Sequence, residues 1–221
     1  MRIVIPARMA SQRLPNKPLA LIGGKPMIQH VWENACKTNI PVTIATDEPK
    51  IKKILPDADV LITKEANTGS DRVALVLEKY NDDVIINCQG DLPFIKPDQI
   101  LSSVIALNYA NVGTLVTEMS QDKMQDPNSV KAICTGNGKL LKCHWFCRSS
   151  LQYGYHHIGV YAYRRNTLKS FAKQAQSFHE NIEKLEQLRF FDMDEPIFAV
   201  KISNCGIEVN TKEDLNVANE Y

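Results

Sequence analysis

The chain predicts an α/β protein, a mostly parallel sheet with an antiparallel extension, and two observations carry that reading. Through residue 117, short β-branched runs alternate with amphipathic helical patterns at the spacing of βαβ units. From residue 131 to 163, strands follow one another without intervening helices, as an antiparallel region does. At 221 residues, 44% hydrophobic and 23% charged, the chain is long enough to bury one continuous core. The expected organisation is therefore one domain over 1–221, with a β-rich lid or dimerisation region at about 131–163.

In order along the chain, residues 2–6 read as a strand. Residues 26–37 read as a helix with Met27, Ile28, Val31, Trp32 and Ala35 on one stripe. A strand at 42–46, a short helix at 49–55 and a strand at 59–62 follow, then a helix at 70–79 and a strand at 84–87. Residues 97–108 read as a helix opened by proline, and 110–117 as a strand. Residues 131–134 and 140–146, separated by Gly136-Asn137-Gly138, read as a hairpin. A strand at 155–163, helices at 167–174 and 181–191, a strand at 198–202 and a terminal helix at 212–219 complete the reading.

A formal net charge of +1 excludes binding to nucleic acid by bulk charge, so any phosphate site must come from local clustering. No run approaches the roughly 18–20 apolar residues of a membrane span, and Ile3-Val4-Ile5 is too short for a signal-peptide core. The expectation is a cytoplasmic protein with no membrane partner. Its six cysteines, without C-x-x-C pairing, then read as free thiols. Cys143-His144-x-x-Cys147, near His156-His157, has the look of a zinc site. On a strand, however, residues four apart are too distant to chelate one ion, so no zinc is expected.

Local clustering is present. The first strand runs straight into a loop bearing Arg8, Arg13 and Lys17, stiffened by Pro15 and Pro18. Fixed cations of this kind suit a polyphosphate and a phosphoryl transition state; a solvated basic loop is the other reading. The strand at 84–87 delivers Gln89-Gly90-Asp91, whose carboxylate suits a divalent cation shared with phosphate, or a simple Asx turn. Thr68-Gly69-Ser70-Asp71-Arg72 opens a helix, capped by Thr68 or Ser70, whose amides meet a ligand or only water. In the strand at 155–163, alternation puts His157, Gly159, Tyr161 and Tyr163 on one face, either a sugar site or a solvent face. Glu183, Glu186, Gln187 and Arg189 share a helical stretch that also reads as exposed.

Taken together and in order, these segments resemble the 3-deoxy-manno-octulosonate cytidylyltransferases, the CMP-Kdo synthetases. The opening loop resembles P-A-R-x-x-S-x-R-L-P-x-K-P-L, and Gln89-Gly90-Asp91-Leu92-Pro93 resembles Q-G-D-E-P. Thr68-Gly69-Ser70-Asp71-Arg72 resembles S-G-T-E-R, and His157-Ile158-Gly159-Val160-Tyr161-Ala162-Tyr163-Arg164 resembles H-x-G-I-Y-x-Y-R. Residues 183–189 resemble E-x-L-E-Q-L-R, and Val209-Asn210-Thr211-Lys212-Glu213-Asp214-Leu215 resembles V-D-T-P-E-D-L. The resemblance implies a Rossmann-like nucleotide-diphospho-sugar transferase fold, commonly dimeric. It implies transfer of CMP from CTP to the acid sugar Kdo with release of pyrophosphate, for lipopolysaccharide biosynthesis.

By the same resemblance Arg8, Arg13 and Lys17 are catalytic, and Ser70 and Arg72 lie near the nucleotide. Asp91 and Asn210 hold Mg²⁺, while Gln89, His157, Tyr161, Glu186 and Gln187 orient Kdo. The chain departs from the pattern in places. Asn210 stands where the family has Asp, so this amide oxygen adds no negative charge; Leu92 replaces Glu and Lys212 replaces Pro. The I-P-W-D-type stretch expected before His157 is missing. Two other readings stand beside this one: a CMP-sialic acid synthetase-like enzyme, against which Arg13-Leu14-Pro15 argues, and a catalytically weakened nucleotide-binding homologue.

Overall fold

A computed structural model describes residues 1–9, 11 and 13–221. The chain divides into two compact units: Met1–Ile100 with Cys205–Tyr221, and Leu101–Asn204.

The first unit is built by strand–helix alternation. It comprises β1 (Arg2–Ala7), a two-residue ribbon of β2 (Leu21–Ile22) and β3 (Lys25–Pro26), α1 (Met27–Cys36), β4 (Val42–Thr46), α2 (Pro49–Ile54), β5 (Asp59–Ile62), α3 (Gly69–Leu75), β6 (Val84–Cys88) and α4 (Pro97–Ser102). Four strands pair in parallel in the order β5-β4-β1-β6. Ile3, Val4 and Ile5 of β1 are all fully buried, as the inner strand of a two-sided parallel sheet requires. The C-terminal helix (Lys212–Glu220) starts at a capping box in which Thr211 accepts from Asp214 N–H and Asp214 accepts from Thr211 N–H.

The second unit comprises β7 (Val112–Thr117), α5 (Gln121–Gln125), β8 (Lys131–Thr135), β9 (Leu140–Cys147), β10 (Tyr155–Arg164), α6 (Arg165–Phe171), α7 (Phe178–Glu183), α8 (Leu188–Asp192) and β11 (Ile197–Lys201). Its strands follow the order β10-β7-β11-β9-β8. The β11–β7 pair is parallel and the others are antiparallel; β10 also pairs β8 through Tyr155–Ala132 and His156–Lys131. The antiparallel region expected at 131–163 is therefore present, and Cys143 and Cys147 both lie on strand β9. Among the described residues, no helix is long and apolar enough to cross a membrane.

Three helical readings need correction. The helices expected at 70–79 and 97–108 each tighten into a 3-10 stretch, Val76–Glu78 and Ser103–Asn108. In the second case Ser103 and Ala106, three apart and both buried, eclipse on the inner side, as 3-10 geometry allows. The helix expected at 181–191 is two helices, α7 and α8, broken at Lys184, whose φ of 55° is left-handed. The break lets Arg189 return to Glu180. In an unbroken helix these residues would be about 13.5 Å apart along the axis, too far to pair. The short helix α5, capped by Ser120, was not expected from the sequence.

Between β6 and the C-terminal helix, Gly206 takes a φ of +85°, and a Cβ there would lie 2.5 Å from Cβ of Phe94. Both conditions demand glycine. Gly206→Ala is expected to destabilise the protein by about 1–3 kcal/mol, read as a lower urea midpoint with an unchanged m-value; an unchanged midpoint would show that residues 205–208 shift freely.

Candidate functional site

The cationic loop is anchored from below. Leu14 is buried with Ile22, Met27, Val209 and Ala218, and Phe94, Ile207 and Leu215 pack against the same cluster. One patch of core therefore holds both the loop that carries Lys17 and the segment that carries Asn210. A 3-10 turn, Lys17–Leu19, follows Asn16, which sits at a left-handed φ of 55°. On the other side, a Cβ on Gly90 would meet the Pro6 carbonyl at 3.2 Å, so the residue before Asp91 runs close against β1. Val209 N–H donates to the Asp91 carbonyl at 3.0 Å, tying the two segments together.

On this scaffold Lys17 Nζ donates to Asp91 Oδ2 at 2.7 Å and to Asn210 Oδ1 at 2.9 Å. Arg13 donates to the same Asn210 oxygen at 3.4 Å. The helix cap is Thr211, so the Asn210 side chain is available to this cluster rather than to the helix end. Arg8 follows β1 directly and is exposed. Among the described residues it has no hydrogen-bond or ion-pair partner. Arg8, Arg13 and Lys17 against the one carboxylate of Asp91 leave a local excess of two positive charges, the sign a polyphosphate needs. Ala10 and Gln12, within the same sequence motif, lie outside the described residues.

Helix α3 opens beside Gln89. Thr68, not Ser70, caps it, accepting from Asp71 N–H at 3.1 Å. Ser70 is fully buried and accepts from Asn87 Nδ2 at 3.4 Å; the Gln89 amide donates to Asn87 Oδ1 at 3.4 Å. Arg72 is buried at 3% exposure, donating to Asp47 Oδ2 and Thr63 Oγ1, each at 2.6 Å. Arg72 thus braces α3 against the ends of β4 and β5, two contacts that no sequence spacing could reveal.

His157, Tyr161, Glu186 and Gln187 belong to the second unit. The His157 face is not a solvent face. The His157 ring meets Tyr161 at a tilt (5.3 Å), and rings then stack from Tyr161 to Tyr163 (5.7 Å), Tyr163 to Phe190 (5.4 Å) and Phe190 to Phe171 (4.5 Å). Phe146 meets the His157 ring edge-on at 5.0 Å. Thr114 Oγ1 donates to the Val160 carbonyl at 2.9 Å, so it accepts from His157 Nε2–H at 3.0 Å. The ring is therefore the Nε2–H tautomer and presents Nδ1 as an acceptor. Burial, reinforced by His156 and Arg148, pushes its pKa down to about 3.

The same aromatic spine passes through α8, which begins immediately after Glu186 and Gln187, to Phe171 of α6. Arg189 and Glu180, each 2% exposed, form a two-pronged ion pair at 2.7 and 2.6 Å, and the guanidinium lies 3.9 Å over the Phe171 ring. Ser177 completes a capping box with Glu180. That Ser-x-x-Glu spacing was the readable signal for Glu180; Thr114 and Arg148, which donates to Glu183, carried none. Gln187 is 2% exposed and its Nε2 is the buried side-chain nitrogen left without a partner among the described residues. A buried amide donor of this kind calls for an acceptor, whether a water, an ion or a ligand oxygen. Glu186 is half-buried. Among the described residues no three His, Cys, Asp or Glu side chains converge as a metal cage.

Known proteins share this pattern. A cytidylyltransferase family model matches residues 2–197. A 3-deoxy-manno-octulosonate cytidylyltransferase from Methylorubrum extorquens is 40% identical over 232 residues, 98% of this chain and 94% of that protein. One from Brucella ovis is 39% identical over 236 residues, 99% and 94% of the two chains. A solved CMP:2-keto-3-deoxy-manno-octonic acid synthetase complexed with CTP superposes with a TM-score of 0.88 at 33% identity, over 99% of this chain and 96% of that one. A 4-diphosphocytidyl-2C-methyl-D-erythritol synthase from Anaerococcus prevotii, at 16% identity and a TM-score of 0.68, shares the fold.

The depressed pKa of His157 fixes a sign for acid stability. The unfolded chain takes the proton near 6.5, whereas the folded chain refuses it until about 3. This ring's contribution is complete above about pH 6.5 and is lost as pH falls toward about 3. His157→Gln is therefore expected to lose less stability between about pH 7 and about pH 4.5 than the wild type, measured by urea denaturation at each pH. Equal losses would mean that His157 titrates normally.

Proposed function

The chain belongs to the 3-deoxy-manno-octulosonate cytidylyltransferase family, and we propose that it transfers CMP from CTP to Kdo, releasing pyrophosphate and feeding lipopolysaccharide assembly. The observation that carries the assignment of residues is the Lys17 ammonium shared by Asp91 and Asn210. Two oxygen donors that converge on one cation are a fitting pair for a hard divalent ion whose remaining ligands are phosphate oxygens. Asp91 and Asn210 would hold Mg²⁺, which supplies charge neutralisation to the triphosphate when bound.

The chain's own residues do the rest. Arg8, Arg13 and Lys17 bind the triphosphate and stabilise the charge that builds on the α-phosphorus as the bond to pyrophosphate breaks. Ser70 and the Arg72 brace hold α3 for the nucleotide. In the second unit, Nδ1 of His157 accepts from a sugar hydroxyl, and the unpartnered Gln187 amide donates to a sugar oxygen. By the family resemblance, Glu186 and Tyr161 of this unit, and Gln89 of the first, are also assigned to Kdo. The anomeric hydroxyl attacks the α-phosphorus directly, so no protein nucleophile is needed and catalysis is positioning plus electrostatics. The family resemblance supports a homodimer joined through the region about 131–163, working in the cytoplasm.

The deciding assay follows pyrophosphate release from CTP, ATP or UTP with Mg²⁺ and a panel of 2-keto acid sugars. Release that needs both CTP and Kdo is expected. Equal activity with ATP, faster turnover of sialic acid than of Kdo, or no release with any sugar would each contradict the reading. In the same assay Lys17→Ala and Arg13→Ala are each expected to lower kcat by about 10²-fold or more, the loss of one preorganised donor. A fall smaller than about threefold would return the loop to a solvated surface feature.

A further inference from the structure

Two cysteines outside this site face one another. In the β8–β9 ladder Cys134 is the partner of Cys143, and their sulfurs lie 3.5 Å apart. Directly opposed antiparallel residues have Cα separations of about 4.5–5.5 Å, inside the range of about 4.4–6.8 Å that a disulfide spans. A rotation about the side chains then suffices to join the sulfurs. Cys134 is half-buried and within reach of a small solute, whereas Cys143 is 2% exposed. The contact with Cys134 and burial both raise the Cys143 thiol well above its ordinary pKa, so it is the member that stays protonated. Cys134 is the member that meets an oxidant.

We propose that Cys134 and Cys143 are a redox-active pair, oxidised by a peroxide to an intrachain disulfide and reopened by a dithiol. Cys134 gives up its thiol proton, its sulfur attacks the peroxide, the O–O bond breaks, and the departing hydroxide takes up that proton, leaving a sulfenic acid and one water. The Cys143 sulfur then attacks the Cys134 sulfur and gives up its proton; the displaced hydroxide leaves as a second water. Two thiols lose two electrons, hydrogen peroxide gains them, and the sulfur–sulfur bond replaces two S–H bonds.

The position gives the bond a mechanical role. Lys131 and Ala132 of β8 pair with His156 and Tyr155 of β10, the strand that bears His157 and Tyr161, while β9 pairs β11. The disulfide closes the hairpin across its Gly136-Asn137-Gly138 turn and clasps the outer half of the ladder. Such a short closed loop stabilises chiefly by constraining the unfolded chain.

The test treats the reduced full chain with hydrogen peroxide, caps remaining thiols with iodoacetamide and maps the peptides. Expected are a single Cys134–Cys143 linked peptide, loss of two hydrogens in intact mass, reversal by dithiothreitol, and a rise in Tm of roughly 3–8 °C. Cys134→Ser and Cys143→Ser should each abolish the link and leave the other thiol open to capping. The proposal is overturned if Cys134 proceeds to a sulfinic acid while Cys143 remains cappable, or if the bond joins two chains on a non-reducing gel. A link through Cys147, or a linked protein whose Tm does not rise, overturns it equally.

Discussion

The Lys17 ammonium, held between Asp91 and Asn210, is the interaction around which the first unit's candidate site is gathered. Three segments far apart in sequence meet there: the loop after β1, the turn after β6 and the residue before the C-terminal helix. None is held by the charge itself. Leu14 and Val209 in one buried cluster bring the loop and the C-terminal segment together, and the Val209–Asp91 backbone bond fixes their spacing. The ion pair is partly exposed, so its net contribution to stability is small. Its consequence is electrostatic: a preorganised cation beside a carboxylate, with Arg8 and Arg13 in the same loop, would need little reorganisation to receive the triphosphate proposed above.

The second unit follows a different logic. A buried ion pair between Glu180 and Arg189 is expensive to desolvate, and its value lies in specifying one conformation. It forces the chain to break at Lys184, and that break turns Gln187 inward with its amide unpartnered. The aromatic spine carries the same constraint to His157, whose tautomer is fixed by Thr114. A neutral ring that refuses a proton and an amide with no protein acceptor together suit an uncharged, hydroxyl-rich portion of a ligand.

Much of this was legible in the sequence, for identifiable reasons. The strands of the first unit follow from β-branched runs, and β4 has the expected ends because Pro41 and Asp47 bracket its run. The hairpin of β8 and β9 followed from Gly136-Asn137-Gly138. What failed was whatever depends on long-range pairing. Helical periodicity runs unbroken through 181–191 because the buried Arg189 mimics the polar side of an ordinary helix. The depth of the His157 face was invisible because the rings that cover it come from α6, α8 and β9. Arg8, Arg13, Lys17, Asp91 and Asn210 were named together through motif order; the fold brings Arg13, Lys17, Asp91 and Asn210 into contact and leaves Arg8 exposed, and the bond from Lys17 to Asn210 could only be read from the fold.

The central claim is that this cluster carries its own cation at rest and takes a divalent ion only together with the nucleotide's phosphates. Calorimetric titration of Mg²⁺ into the protein tests it, with and without CTP, in the wild type and in Asn210→Asp. The account predicts no saturable Mg²⁺ binding to the wild-type protein alone, strong Mg²⁺ enhancement of CTP binding, and a Mg²⁺ affinity at least about tenfold higher once a second carboxylate replaces the amide. Mg²⁺ binding to the nucleotide-free wild type as tight as in the presence of CTP, or an affinity unmoved by Asn210→Asp, would contradict it.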